Sequence, residues 1–173
     1  MRIGRIMSGL GILLIASVGA LAQQVSTDYD HAANFANYKT YSWAKVETKS
    51  PLWQDRVQSA VDGQLAAKGW TKVESGGDAA VVAIGTNQQK QQLNTYYTGG
   101  AWRFGGGMAT SNTTTYTVGT LVVDIFDAKS KQLIWRGTAG DTMNDKAEKN
   151  EKILTKAVEK LFQKFPPGAD TKK

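Results

Sequence analysis

The chain has 173 residues, and its 21 lysine and arginine residues outnumber 15 aspartate and glutamate residues to give a formal net charge of +6 at pH 7. The basic residues are scattered, whereas nucleic-acid binding requires a focused patch, so we expect no nucleic-acid partner. The chain contains no cysteine, which excludes a disulfide framework, thiol catalysis, cysteine-ligated zinc and the lipid anchor of a bacterial lipoprotein.

The first 22 residues have the three-part pattern of a secretory signal peptide. Arg2 and Arg5 are positively charged, residues 6–18 are mostly apolar, and Ala20-Leu21-Ala22 offers a small-x-small cleavage site. The apolar stretch is shorter than the about 20 residues of a membrane span, so an uncleaved anchor is the less favoured alternative. We expect cleavage near Ala22 and a protein of the periplasm or cell envelope that is soluble after export.

The remaining sequence predicts one domain over residues 23–167, followed by a loose tail over residues 168–173. Strands are expected at residues 25–29 and 40–43, where β-branched and aromatic side chains are frequent. A loop connects these two strands. The domain therefore begins with β-structure.

The first helix is predicted to start with Ser50 as its N-cap and Pro51 in its first turn. Gly69 is expected to end it in a left-handed conformation. The apolar residues between these positions recur at steps of three and four, which predicts a single buried stripe. That stripe comprises Trp53, Val57, Ala60, Val61 and Leu65.

Two further strands are predicted at residues 70–74 and 79–84, the second of which is apolar enough to be buried on both faces. The polar sequence TNQQKQQLNTYY extends that strand into solvent. Residues 98–115 follow, and their five glycines predict a long, mobile hairpin tip. This predicted tip, residues 98–115, is called the flap.

The stretch GTLVVDIFDAKSKQLIWRG predicts a hairpin of two apolar strands around a polar turn. A three-residue turn places Leu133 opposite Ile125 and makes Asp124 and Arg136 diagonal neighbours on one face. Such a cross-strand pair is worth roughly 0.2–1 kcal/mol. We therefore interpret Asp124 and Arg136 as a structural pair that helps to fix the strand register.

A second helix is predicted near the end, with Asp145 and Glu148 forming a capping box and Pro166 and Pro167 ending it. The fold class is accordingly α+β, a mostly antiparallel sheet with two amphipathic helices packed on one face. The apolar stripe of this helix comprises Leu154, Ala157, Val158, Leu161 and Phe165.

Catalytic and metal-binding patterns are weak in this sequence. A Ser-His-Asp triad would require His31, the only histidine, and the chain has no Gly-x-Ser-x-Gly motif. Asp28, Asp30 and His31 are candidate metal ligands, but a turn in which Asp30 accepts hydrogen bonds from backbone amides is the favoured interpretation. We predict no catalytic residue, no metal and no cofactor.

Exposed aromatic residues in and beside the flap are the candidate binding site, since mobile loops often carry recognition residues. The alternative is that these side chains fold back and cover the sheet. The candidate residues are Tyr96, Tyr97, Trp102, Phe104 and Tyr116.

Several segments of the chain resemble the bacterial envelope family known as domain of unknown function 4136. These segments are DYDHAANFANYKTYSW, LAAKGW, DAAVVAI, GTLVVDIFDAKSKQLIWRGTA and the terminal FPP motif. The resemblance implies an α+β fold and an envelope location. Many members look like lipoproteins, but the chain lacks the cysteine of a lipoprotein signal. The family brings no established activity, so no catalytic residue is carried over.

The leading functional hypothesis is a non-enzymatic, exported binding or assembly module that contacts an envelope protein or a membrane surface. The alternative is a carrier of a small ligand or lipid, with an apolar cavity lined by Trp53, Trp70 or Trp135. An enzyme is the third hypothesis and would need His31 in a cleft beside a carboxylate. The sequence leaves the oligomeric state open.

Overall fold

The computed structural model describes residues 24–98 and 108–167. The predicted signal peptide, the middle of the flap and the predicted tail lie outside these ranges. In chain order the elements are β1 (Gln24–Tyr29), a short 3-10 helix (Phe35–Asn37), β2 (Thr40–Glu47), α1 (Pro51–Ala67), β3 (Thr71–Lys72), β4 (Ala79–Thr98), β5 (Met108–Asp127), β6 (Leu133–Thr142) and α2 (Ala147–Phe162).

The six strands form one sheet in the order β1-β6-β5-β4-β2-β3. Strands β1, β6, β5 and β4 are successively antiparallel, whereas β2 is parallel to both β4 and β3. The sheet is therefore mixed, and the expectation of a mostly antiparallel sheet is too loose. The cause is α1, which carries the chain from β2 back to the same end of the sheet, as a parallel pair requires.

Both helices pack on the same face of the sheet, as predicted. The predicted stripe of α1 is confirmed at Val57, Val61 and Leu65, which are buried, while Trp53 and Ala60 are half-buried. The opposite face of the sheet carries no helix in the described ranges. The largest fully buried side chains of the core are Trp135, Tyr41, Phe162, Phe165, Leu65, Ile125 and Leu161.

The helix ends differ in part from those expected. Gly69 has a φ of 82°, which confirms the left-handed position after α1. Ser50 stands at the N-cap of α1, but its side chain makes no capping hydrogen bond. The Thr48 hydroxyl donates to the Ser50 carbonyl at 2.7 Å, which fixes the chain before the helix but caps none of its N–H groups.

The predicted capping box at the start of α2 is wrong, because Asp145 lies before the N-cap residue, Lys146. Asn150 makes the bonds instead. Its Oδ1 accepts from the Asn144 backbone N–H, and its Nδ2 donates to the Asn144 carbonyl, both at 2.6 Å. An amide can donate and accept at once, so one buried side chain fixes the loop before the helix.

The β5–β6 hairpin has a longer turn than predicted. The Asp127 N–H donates to the Gln132 carbonyl, so four residues form the turn. A bulge at Ile134 then shifts the register, which leaves Leu133 opposite Phe126 and exposed. The predicted pairing of Leu133 with Ile125 is wrong for this reason.

An aromatic cluster closes one end of the core. Phe165, which follows α2, has ring centroids of Trp70, Trp135 and Phe162 at 5.3 Å and that of Phe35 at 5.8 Å. Such edge-to-face contacts add to the hydrophobic stabilisation of buried rings. The terminal FPP motif therefore supplies a core residue.

Candidate functional site

Strands β4 and β5 extend past the other strands of the sheet as a two-stranded ribbon. They pair without interruption from Ala79–Asp127 to Thr98–Met108. β2 follows β4 only as far as Ile84, and β6 follows β5 only as far as Val118. The ribbon, defined as residues 89–98 and 108–117, is thus about 33 Å long at roughly 3.3 Å per residue.

This ribbon corrects the predicted extent of the flap. Thr98 and residues 108–115 were expected in a glycine-rich tip, but they are strand residues paired with β4. The threonines of β5 explain the difference, because β-branched residues favour strands. The polar extension of β4 is confirmed.

The ribbon is held together mainly by its own pairing. The Thr95 and Ser111 hydroxyls face each other at 3.3 Å, and the Gln92 amide donates to Asn94 at 3.2 Å. Leu93 is 66% exposed. A two-stranded ribbon without a buried face is marginally stable by itself. Its length and exposure make the ribbon a surface that a partner could contact.

The five aromatic residues predicted as a binding site fall at different places. Tyr96 and Tyr97 are strand residues of the ribbon, on the β4 side. Trp102 and Phe104 lie outside the described residues. Tyr116 is half-buried on β5, where it lines a surface trough. The prediction that the five act together stays a prediction.

The trough containing Tyr116 lies at the base of the ribbon and measures about 900 Å³. Lys90, directly opposite Tyr116, provides a positive charge beside the ring. Thr138 and Thr142 of β6 and Ser26 of β1 contribute hydroxyls. This composition suits contact with a polar, extended surface.

A second, apolar cavity of about 120 Å³ lies between the helices and the sheet. Gly85, Gly119 and Ala139 form part of its sheet side, where their small size leaves room. Trp53 lines this cavity, as the carrier hypothesis predicts, whereas Trp70 and Trp135 pack in the aromatic cluster instead. The helices contribute Val57, Leu154 and Ala157, and Met143 lies at one side.

Asp124 and Arg136 form a bidentate ion pair on the sheet face opposite the helices. Arg136 Nε and Nη2 donate to the two carboxylate oxygens at 2.6 and 2.7 Å. The residues are directly opposite each other, which corrects the predicted diagonal placement. These hydrogen bonds raise the pKa of Arg136, and Asp124 is only 6% exposed. The geometry fits a structural pair, because both carboxylate oxygens are engaged.

The candidate metal ligands near the first strand have local partners. Asp30 accepts a hydrogen bond from the Ala32 N–H at 2.8 Å, and Asp28 accepts one from the Tyr29 N–H at 2.9 Å. The exposed His31 ring lies 4.4 Å from that of Tyr29. Among the residues that the structure describes, no group of three His, Cys, Asp or Glu residues could hold a metal ion.

Two further carboxylates, those of Asp62 and Asp127, connect separate segments of the fold and belong to no recognised sequence motif. Asp62 of α1 accepts hydrogen bonds from the Tyr41 hydroxyl at 2.7 Å and the Trp43 indole at 2.8 Å. Lys72 donates to its other oxygen at 2.9 Å. Burial, followed by the hydrogen bond to Asp62, raises the pKa of Tyr41. Asp62 thus attaches α1 to β2 and β3.

Asp127 organises the β5–β6 turn. Its carboxylate accepts hydrogen bonds from the Ser130 N–H at 2.6 Å, the Lys129 N–H at 2.9 Å and the Tyr38 hydroxyl at 2.9 Å. The bonds from Ser130 are the main reason that the pKa of Asp127 falls to about 2. Burial, followed by the bond to Asp127, raises the pKa of Tyr38 to about 12. The bonds from Lys129 and Ser130 are local and typical of aspartate in a turn. The Tyr38 contact joins residues 89 positions apart, so no sequence spacing indicates it.

The sequence matches one family model, and the fold is similar to those of solved structures. The family model "Domain of unknown function (DUF4136)" matches residues 25–167. A PDZ domain protein from Parabacteroides distasonis has a similar fold, with a TM-score of 0.59 and 13% identity over 84% of this chain. The match covers 36% of that protein, so the chain spans about a third of its length.

PelC from Paraburkholderia phytofirmans, a dodecamer in its crystal, is also similar in fold. The TM-score is 0.51 and the identity 12%, over 81% of this chain and 94% of PelC. No curated protein matches the sequence. At these identities the two structures share a fold with this chain.

Across the described ranges, no helix is both long and apolar enough to cross a membrane.

Proposed function

This chain belongs to the family described as domain of unknown function DUF4136, and we propose that it is a non-enzymatic binding or assembly module of the bacterial cell envelope. The ribbon is the observation that carries this proposal. It extends about 33 Å beyond neighbouring strands and adds little to the core. A recognition element carried on a rigid body has this form.

The envelope location rests on the amino-terminal sequence. This sequence has the features of an export signal: Arg2 and Arg5 are charged, residues 6–18 are mostly apolar, and Ala20-Leu21-Ala22 offers a cleavage site. Cleavage of the signal peptide near Ala22 would release a domain without cysteine, which can form no disulfide. Such a domain depends on packing for its stability, and the aromatic cluster around Phe165 provides that packing.

A binding role also fits the way the carboxylates are used. Asp62, Asp124 and Asp127 each accept hydrogen bonds from side chains of other elements. Hydrogen bonds of this kind favour the ionised carboxylate and stabilise the fold, which suits a structural role better than that of a general acid or base. PelC, which shares the fold, is a dodecamer in its crystal. A chain of this architecture can therefore contribute to a larger assembly.

Replacing residues 89–117 with Asn-Gly tests the proposal. This change joins Gln88 to Val118, which already face each other across the two strands, through a two-residue turn suited to a hairpin. Full-length chains with and without the ribbon would be expressed in cells, crosslinked in the envelope and purified with their partners. We expect the variant to lose specific crosslinks while its thermal melt stays close to that of the parent.

A matched variant separates the ribbon from its tip. In that chain, residues 99–107 alone are replaced by a short Gly-Ser turn, which removes Trp102 and Phe104 but retains both ribbon strands. Loss of crosslinks in both variants assigns binding to the tip, and loss only in the longer replacement assigns it to the strands. If all three chains give identical crosslinks, the proposed binding role of the ribbon is wrong.

The apolar cavity favours a second function, that of a carrier for a small apolar group. An engineered cavity of about 150 Å³ can hold benzene, so about 120 Å³ suits a single ring or a short alkyl chain rather than a whole lipid. Benzene and hexanoate titrations, followed by methyl NMR shifts of Leu154 and Ala157, test this function. The filling variant Ala157→Leu should abolish saturable shifts, and their absence in the parent would contradict the carrier function.

A further inference from the structure

Along the ribbon, none of the described residues pairs with the outer edge of β5. In the part of the chain that the structure describes, β6 pairs with β5 from Val118 onward, and the Met143 N–H covers the Thr117 carbonyl at 2.8 Å. No described strand lies beside residues 108–116 on that side. In this stretch of nine residues, every second residue therefore presents its backbone N–H and C=O on the open edge.

This edge lacks the features that normally prevent strands from pairing. Its sequence, MATSNTTTY, contains no charge and no proline. Natural proteins protect open edges with charged residues, proline, bulges or very short strands. The other edges follow that rule: β1 carries Asp28, β2 carries Lys45 and Glu47, and β3 has two residues.

The opposite edge of the ribbon, on β4, is less suited to pairing. Lys90 places a charge on it, and the Lys49 ammonium group reaches the Asn87 carbonyl at 3.4 Å near its base. The β4 side is also rich in glutamine, whereas β5 has three consecutive threonines, residues 113–115. β-branched residues favour strand pairing, so β5 is the edge that a partner would occupy.

We propose that the outer edge of β5 binds the same edge of a second copy of this chain, antiparallel, to form a continuous four-stranded ribbon. This inference rests on the proposed assembly function and specifies its partner. A two-fold symmetry axis at Asn112 pairs all nine residues, 108–116, of one copy with those of the other. Ser111 then faces Thr113 of the second copy, and Thr110 faces its Thr114.

Self-pairing is favoured because the edge is complementary to itself. Thr–Thr and Thr–Ser pairs form side-chain hydrogen bonds across antiparallel strands. Every residue of the edge is neutral, so no like charges oppose each other. Two-fold symmetric dimers are the commonest protein oligomers, and they join one surface to its own copy.

Because the chain has no cysteine, single introduced cysteines can locate the contact. In the full-length chain, Asn112→Cys places a thiol at the proposed axis. Asn94→Cys is a matched control, because Asn94 lies directly opposite Asn112 on β4. Under a mild oxidant, we expect Asn112→Cys to form disulfide-linked dimers at least about tenfold faster than Asn94→Cys, as proximity predicts. Equal rates, or faster crosslinking at Asn94, overturn the proposal.

A charge exchange tests the register independently of oxidation. The double variant Thr110→Lys with Thr114→Lys sets like charges opposite each other, whereas Thr110→Lys with Thr114→Glu sets opposite charges together. By light scattering at low salt, the first should dissociate at a protein concentration about tenfold higher than the parent, and the second should remain dimeric. Equal effects of the two variants contradict this register.

These measurements separate the inference from the proposed function. If removal of the ribbon abolishes envelope crosslinks but Asn112→Cys forms no dimer, the ribbon binds a different protein. The self-pairing inference is then wrong while the binding function stands. If Asn112→Cys crosslinks efficiently but removal of the ribbon changes no envelope partner, self-pairing stands and the wider binding function fails.

Discussion

The body of the molecule and its ribbon are built from the same two strands but are stabilised differently. In the body, Val81 and Val123 are fully buried between the sheet and the helices. In the ribbon, Leu93 and its neighbours face solvent. Gly85 and Gly119 lie close to the boundary, where β2 and β6 stop following the central pair. A continuous pair of strands thus contains a packed half and a solvated half.

This difference indicates where stability and recognition reside. Burial of apolar area stabilises the body, whereas backbone pairing and threonine side chains stabilise the ribbon. Segments with few buried contacts open more readily than core strands. We therefore expect substitutions in the body to change unfolding free energy, and substitutions in the ribbon to change binding.

The largest effect is expected for Phe165→Ala. Phe165 is 2% exposed and touches four aromatic rings, so its loss should lower the unfolding free energy by about 3–5 kcal/mol. Denaturant titration would measure this as a lower midpoint with an unchanged slope. Leu133→Ala, at an exposed position of β6, is the control. A loss below about 1 kcal/mol would show that the cluster can close around the gap.

A smaller loss is expected for Asp62→Ala. The change leaves the Tyr41 hydroxyl, on a side chain only 1% exposed, without its acceptor. An unsatisfied buried group costs about 1–3 kcal/mol. Asp62→Asn retains an oxygen for Tyr41 and Trp43 but loses the charge that faces Lys72, so it should cost less. Equal losses in the two variants, measured by thermal melting, would contradict the importance of this acceptor.

The sequence predicts the body better than its connections. The stripe of α1 and the left-handed Gly69 follow from local periodicity and backbone preference. The Ile134 bulge does not, because the polar sequence allows a three-residue or a four-residue turn, and the bond from the Asp127 N–H to the Gln132 carbonyl across the hairpin selects the longer one. Asn150 replaces the predicted capping box for a similar reason. Aspartate and asparagine side chains can form several different hydrogen bonds with the backbone, and the folded geometry determines which of them form.

The candidate site is predicted less completely. The glycine content predicts a tip over residues 98–115, but the threonines of β5 extend regular structure to Met108, farther than the glycines indicate. The unpaired edge depends on where β6 ends, which is a property of the whole sheet. Its neutral composition is nevertheless visible in the sequence. An uncharged, threonine-rich strand beside polar, glutamine-rich sequence is a pattern worth noting in other chains.

A still smaller, pH-dependent effect is expected for Asp127→Asn. The pKa of Asp127 is about 2 in the folded protein, below its ordinary value of 3.8. Its hydrogen bonds therefore stabilise the fold fully above about pH 4, and this contribution is lost as pH falls toward 2. The difference in melting temperature between parent and variant should shrink over that interval. A constant difference would mean that the carboxylate charge is not involved, and exposed Asp145→Asn provides the control.

The smallest effect is expected for Leu93→Ala in the ribbon. This side chain is 66% exposed and lies opposite Thr113, so its truncation should change unfolding free energy by no more than about 0.5 kcal/mol. The measurement is denaturant unfolding at low protein concentration, where a dimer would dissociate. A loss above about 1 kcal/mol would mean that the ribbon packs against apolar surface within one chain. The division between a packed body and a solvated ribbon would then be wrong at its clearest position, because Leu93 is the large apolar side chain that the ribbon exposes most among those described.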